Sequence, residues 1–343
     1  MSTHDEDKKN IRKTEDSSLA AEETSSPSDI TVSSLSQKFE PIAKNFKLTK
    51  GAKNVFKTAP KTDRGNAERL ASITGRKLRY VTSAKQFIFF NGTYWIDVTP
   101  HVMKVVIYCM DLLYSYAKFL GEIDILMLDH AEKSQSEARL KAAVNLFKHE
   151  QGVAIDSTKL DADKYYFNVQ NGTVDLKSGV LRPHSPDDLI TKISPVSYCP
   201  TSECPRFMNF LEEITLGDRE LQEYLQRICG YMITGDISEQ CLFFLYGGGQ
   251  NGKSKLLGLL EYIACDYCRR TGATTLMRSY SSSGSASPEL ARLRGARIVF
   301  ASELDEGHTF SESLVKDMTG GEPIVARQLY KDYEEFEPEF KLI

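Results

Sequence analysis

The chain has 343 residues, 41% of them hydrophobic and 26% charged, with a formal net charge of −4. That length holds about two domains, and the balanced charge excludes a chain that is basic throughout, so any nucleic-acid surface has to be local. No apolar run reaches the length of a membrane span, and the N-terminal MSTHDEDKKNIRKTEDSS lacks the apolar centre of a signal peptide, so the expected location is the cytosol. Seven cysteines, an odd number, point to reduced thiols. A zinc reading of Cys199/Cys204 with Cys265/Cys268 is disfavoured by the distance between the pairs.

Residues 1–62 are rich in Ser, Thr, Glu, Asp and Lys and carry few large apolar side chains, so they are predicted to be a disordered tail. Within it, KLTKGAKNVFKTAPKTDR (Lys47 to Arg64) is basic, and a binding arm is the second reading. Order is expected from Gly65. NAERLASITG has helical spacing and a closing glycine, and Asn91-Gly92 between two aromatic runs predicts a hairpin. Trp95, the only tryptophan, is read as a packing residue rather than a base-stacking one. HVMKVVIYCMDLLYSYAKFLG and SEARLKAAVNLFKHEQGV predict two amphipathic helices. From Tyr165 short β-rich runs broken by Asn171-Gly172 and Ser178-Gly179 predict a small sheet. PRFMNFLEEIT and RELQEYLQRICGYMITG then predict helices ending near Gly217 and Gly235.

The strongest signal is CLFFLYGGGQNGKSKLLGLLEYI. A strand pattern, then Gly247-Gly248-Gly249-Gln250-Asn251-Gly252-Lys253-Ser254, then a helix pattern match the phosphate loop G-x-x-x-x-G-K-[ST] in its required context. Glycines let backbone N–H groups turn inward, and the helix N-terminus adds partial positive charge. Lys253 is expected to reach the β- and γ-phosphates of ATP, and the Ser254 hydroxyl to join the shell of Mg²⁺. Many kinases, GTPases and helicases use such a loop, so its output is set elsewhere.

Downstream, IVFASELDEG predicts a strand next to the phosphate-loop strand, with Glu303 at its polar end to orient or activate the attacking water and support the metal; Asp305 is the second candidate. KDMTGGEPIVARQLYK (Lys316 to Lys331) is read as a hairpin turning at Gly320-Gly321. It would present Arg327, Tyr330 and Lys331 to nucleic-acid backbone and bases.

Together YFNVQNGTVDLKSGVLRPHSPDDLIT, CPRFMNFLEEIT, LQRICGYMITGD, LYGGGQNGKSKLL and RLRGARIVFASELDEG with KDMTGGEPIVARQLYK resemble the superfamily 3 helicase domain of the phage and plasmid primase-helicases, poxvirus-type relatives included. The resemblance implies an α/β fold: a P-loop, AAA-like ATPase core at 237–343, a poxvirus-type helical module at 161–236 and an α+β module at 65–160. It implies an ATP hydrolase of the DNA helicase type that uses ATP and Mg²⁺. Single-stranded DNA is its substrate, and it assembles into a homo-oligomeric ring, usually a hexamer, in phage- or plasmid-type replication. A primase or polymerase is a further implied partner; a membrane is not. Lys253 and Ser254 fall on the family's phosphate-loop positions and Glu303 on its acidic strand end. Lys316, Arg327 and Lys331 fall on the motif of the DNA-contacting pore hairpin. The family's sensor asparagine and arginine finger come after a phrase like FKL. Here Phe340 to Ile343 are the last residues, so a core sheet short of one strand is expected, and a truncated, non-catalytic nucleotide- or DNA-binding fragment is the alternative function. A small-molecule kinase would leave residues 65–235 and 316–340 unexplained.

Overall fold

The computed structural model describes residues 48–119, 124–272, 275, 288–301, 311–327 and 333–343. All lie in one compact unit, Phe46–Ile343.

Structure begins earlier than composition predicts. Lys50–Thr58 forms helix α1, capped by the Thr49 hydroxyl, which accepts from the Ala52 N–H at 3.2 Å. Ala52 and Phe56, one helical turn apart, are buried, and the Phe56 ring meets Tyr116 edge-on. The expected tail at 1–62 is thus corrected over residues 50–62, because two small anchors suffice where a neighbouring helix receives them. Residues 1–47 lie outside the described residues.

Helix α2 (Asp63–Thr74) follows and ends at Gly75, as its pattern predicts. Strands β1 (Leu78–Val81), β2 (Gln86–Phe90) and β3 (Trp95–Asp97) form an antiparallel meander whose second turn is at Asn91-Gly92. The Asn91 side chain accepts from the Thr93 and Tyr94 N–H groups and pins that turn. Trp95 is buried and its indole N–H donates to the Pro186 carbonyl, so it packs, as expected. Three helices come next, not two: α3 (Val102–Phe119), α4 (Ile125–Ser134) and α5 (Glu137–Phe147). Strand β4 (Ala154–Ile155) then closes the sheet in the order β3-β2-β1-β4, its pairing with β1 parallel.

The predicted small sheet is β5 (Tyr166–Val169), β6 (Gly172–Asp175) and β7 (Val180–Arg182), an antiparallel meander. Gly172 is obligatory there, since a Cβ would sit 2.4 Å from the Arg182 carbonyl oxygen. Helices α6 (Pro205–Thr215) and α7 (Arg219–Met232) follow where their patterns place them.

The last part contains α8 (Lys253–Ala264), β8 (Cys268–Thr271), α9 (Pro288–Ala291), β9 (Ile298–Ala301), α10 (Glu312–Gly320), β10 (Ile324–Ala326), β11 (Glu334–Phe336) and β12 (Lys341–Leu342). Strands β12, β9 and β8 make a parallel sheet in that order. Leu242 bridges Leu342 in parallel on its free side. Two expectations change here. The acidic-end strand β9 does not adjoin the phosphate-loop segment, because β12 lies between them. The strand expected to be missing is present in its first residues, held by Phe243 N–H to Leu342 O at 2.9 Å and Ala301 N–H to Ile343 O at 2.8 Å. Among the described residues no helix is long and apolar enough to cross a membrane.

Candidate functional site: a phosphate loop at a parallel sheet edge

Parallel strands point their carboxyl ends the same way. The segment after Leu242 and the segment after Ala301 therefore leave the sheet at one edge, the usual place for a ligand in an α/β sheet. Gly247–Gly252 occupies that edge and feeds α8. Three of its residues take positive φ: Gly247 (145°), Gln250 (62°) and Gly252 (82°). A Cβ on Gly247 would lie 2.3 Å from Asn251 Nδ2. One on Gly252 would lie 2.4 Å from Ile214 Cγ2 and 3.3 Å from the Phe210 ring. These two glycines thus set the loop's shape, and Gly252 also seats it on α6. At Gly248 and Gly249 nothing stands within 4 Å, which leaves the outer curve of the loop open.

Lys253 opens α8, whose N-cap Gly252 offers no side-chain cap to the first-turn N–H groups. Its ammonium turns back over the loop and donates to Gly247 O at 3.0 Å, Gly248 O at 3.4 Å and Asn251 Oδ1 at 2.7 Å. Ser254 is exposed beside it. Uncapped helix N–H groups, a lysine held over the loop and open space at two glycines fit a polyphosphate. Glu303 follows β9 by two residues in sequence; it and Asp305 lie outside the described residues.

The predicted DNA hairpin is displaced. Gly320-Gly321 ends α10, with Gly321 at φ 85°, and does not turn a hairpin. The hairpin comes one step later, between β10 and β11 with Ala326 opposite Glu334. Lys316 is therefore an exposed helical residue. Arg327 sits at the end of β10 with its guanidinium 4.8 Å from the Tyr333 ring centre. Tyr330 and Lys331 fall outside the described residues.

Sequence reading missed two buried cations behind the loop. Arg297, 4% exposed, donates to the carbonyls of Ile233, Asp163 and Tyr166 and stacks on the Tyr267 ring at 4.6 Å. Lys341, 1% exposed, donates to the carbonyls of Thr234 and Asp236 and lies over the Tyr231 ring. Burial first, and then the Arg297 charge, push its ammonium down to about 7. Burial also raises the neighbouring Glu339 carboxyl. The only sequence signal was position: a cation inside β-type runs, R-IVFA and KLI. Cys199 and Cys204 are exposed ahead of α6, Cys268 is buried in β8, and no group of three or more possible ligands gathers among the described residues.

The geometry defines a mixed α/β protein with a glycine-rich loop at the carboxyl edge of a parallel sheet. Residues 67–216 match the family described as D5 N terminal like, a span running from α2 to the end of α6 and ending before the phosphate loop. Three viral proteins, each named "Putative helicase", are similar to the chain. The one from Acanthamoeba polyphaga mimivirus is 36% identical over 186 residues, 53% of this chain. The one from Frog virus 3 is 31% identical over 129 residues, 36% of the chain, and that of Invertebrate iridescent virus 3 is 25% identical over 196 residues, 54% of the chain. The matched stretches span only 19%, 13% and 21% of those proteins. Residues 67–216, the middle part of the chain, are thus similar to a D5 N-terminal-like region, and part of the chain is similar to viral proteins with helicase names.

Proposed function

We propose that the chain is the nucleotide-binding part of an ATP-driven DNA helicase of the superfamily 3 type. The observation that carries this is the Lys253 ammonium folded over the carbonyls of a glycine loop at the carboxyl edge of a parallel sheet. When ATP binds, Lys253 exchanges those neutral acceptors for the β- and γ-phosphate oxygens, a stronger, charge-assisted set. The N–H groups of the loop and of the first turn of α8 hold the remaining oxygens. Ser254 Oγ would hold Mg²⁺, which would neutralise phosphate charge, and Glu303 would direct water to the γ-phosphate. Lys316, Arg327, Tyr330 and Lys331 meet the DNA strand, and a ring of like subunits, six in the related helicases, carries the movement. The similarity to viral helicase-named proteins and the D5 N-terminal-like match at 67–216 support the DNA part of this reading; the loop supports the ATP part.

The test is ATP turnover by the purified chain, with and without single-stranded DNA, beside Lys253→Ala. Turnover that rises with DNA and vanishes in the variant supports the motor. A folded wild type that binds ATP yet turns over no more than the variant overturns autonomous hydrolysis by this chain.

A further inference from the structure

We propose that helix α1 is a fixed contact surface for the phosphate backbone of single-stranded DNA, separate from the residues after the phosphate loop. The proposal rests on the nucleic-acid reading above and adds a second place where the strand is held.

The stretch from Lys47 to Arg64 holds six cations and one acid in a chain whose net charge is −4. Among its described cations the structure separates two kinds. Lys61 pairs with Asp124, and Arg64 with Glu68 and Glu150. Lys50, Lys53 and Lys57 are exposed and make no ion pair with a described residue. They sit at i, i+3 and i+7, so they share one face, about 110° around the helix from the buried Ala52 and Phe56. Local helix energetics oppose this arrangement. Like charges one turn apart repel, and Lys50 stands in a first turn that prefers acids and has none.

The helix is also held in place. Arg69, fully buried in α2, donates to the carbonyls of Phe56, Ala59 and Pro60, the end of α1 and the chain just beyond it. Gly65 lets that reversal pack so closely that a Cβ would lie 1.9 Å from the Pro60 oxygen. The three lysines thus project from a rigid base rather than from a free arm, and their ordering cost is partly met before any partner arrives.

The face selects a phosphate chain over other anions. No large apolar side chain is exposed between residues 48 and 64, whereas protein interfaces and membrane-surface helices place apolar groups at their centre. Lys50 and Lys57 are about 10 Å apart along the helix axis. A bare row of ammonium groups over that length matches a partner whose charges repeat regularly, as phosphates do.

The experiment measures binding of the full chain to an oligothymidylate without nucleotide, across a salt series. Lys50→Gln/Lys53→Gln/Lys57→Gln keeps good helix formers and removes three charges. The slope of log affinity against log salt should fall by about 2, since each phosphate contact on a single strand contributes roughly 0.7. Lys53→Gln alone should lower it by roughly 0.7. Lys61→Gln/Arg64→Gln, whose cations already have acid partners, should change it by less than the single variant. A triple variant with the wild-type slope and affinity overturns the proposal, as does loss confined to anionic phospholipid vesicles with DNA binding intact. Because no ATP is used, failure of ATP turnover leaves this result standing, and DNA-stimulated turnover with an unchanged salt slope overturns this proposal alone.

Discussion

At the scale of single residues, two cations show how differently the same charge is used. The Lys253 ammonium bonds three acceptors of an exposed loop, so these bonds compete with water and add little to stability. Lys253→Ala is expected to leave the urea midpoint almost unchanged and to abolish nucleotide binding measured with a fluorescent ATP analogue. Arg69 is the opposite case. It satisfies the carbonyls of Phe56, Ala59 and Pro60 and the Asn66 side chain inside the core. Arg69→Met leaves those acceptors buried without a donor, at ~1–3 kcal/mol for each one that water does not reach. A loss of about 3 kcal/mol or more in unfolding free energy is expected, and a change under ~0.5 kcal/mol would show that the clamp does not hold α1.

At the scale of elements, the Gly247–Gly252 loop has glycines of two kinds, and their variants should divide. Gly252→Ala meets Ile214 and must hold φ 82°, so it should cost ~1–3 kcal/mol of stability and disturb the seat of the loop on α6. Gly248→Ala meets nothing within 4 Å and needs no positive φ, so it should fold as wild type. Its added methyl stands on the open curve of the loop, and ATP affinity should still drop about tenfold or more, a pairing that thermal melts and nucleotide titration resolve together. Both glycines were visible in the sequence, but their separate roles were not, because Phe210 and Ile214 come from a helix about forty residues earlier. The same limit explains other differences. Helices α6 and α7, the β5–β7 meander and the Asn91 turn were legible because caps, turns and period are local. Gly320-Gly321 was misread because a glycine pair can end a helix as readily as it turns a hairpin. Helix α1 was missed because five charged or polar neighbours outweighed the two anchors that tertiary packing uses. The place of β12 between the Leu242 segment and β9 is set by register alone, which no local pattern encodes.

At the scale of the whole molecule, the parts are joined by charge buried at their seam. Arg297 precedes β9 and Lys341 opens β12, and the Lys341 N–H donates to the Arg297 carbonyl at 3.0 Å. Both side chains reach the turn at Ile233–Asp236 that ends α7 and leads to the phosphate-loop segment. Two cations side by side are tolerated because the backbone carbonyls and the Tyr231 and Tyr267 rings receive them. Groups facing Lys341 include Asp236, Cys241 and Glu339, which favour its charge, but burial and Arg297 outweigh them and bring it to about 7. The unfolded chain keeps this proton up to an ordinary lysine value near 10.4. Between about pH 7 and 10 the unfolded state therefore binds the extra proton, and stability rises with pH by up to ~1.4 kcal/mol per unit from this group. Buried thiols act the other way above pH 9, since burial raises Cys268 to about 12, so the clean window is pH 7 to 9. Lys341→Met removes the titration and the donors together. Its unfolding free energy should lie below that of the wild type, with the gap widening by about 2–3 kcal/mol from pH 7 to 9 in urea melts. A gap that stays constant over that range would show Lys341 charged throughout, and the seam would then be a permanent ionic joint rather than one that tightens as its proton leaves.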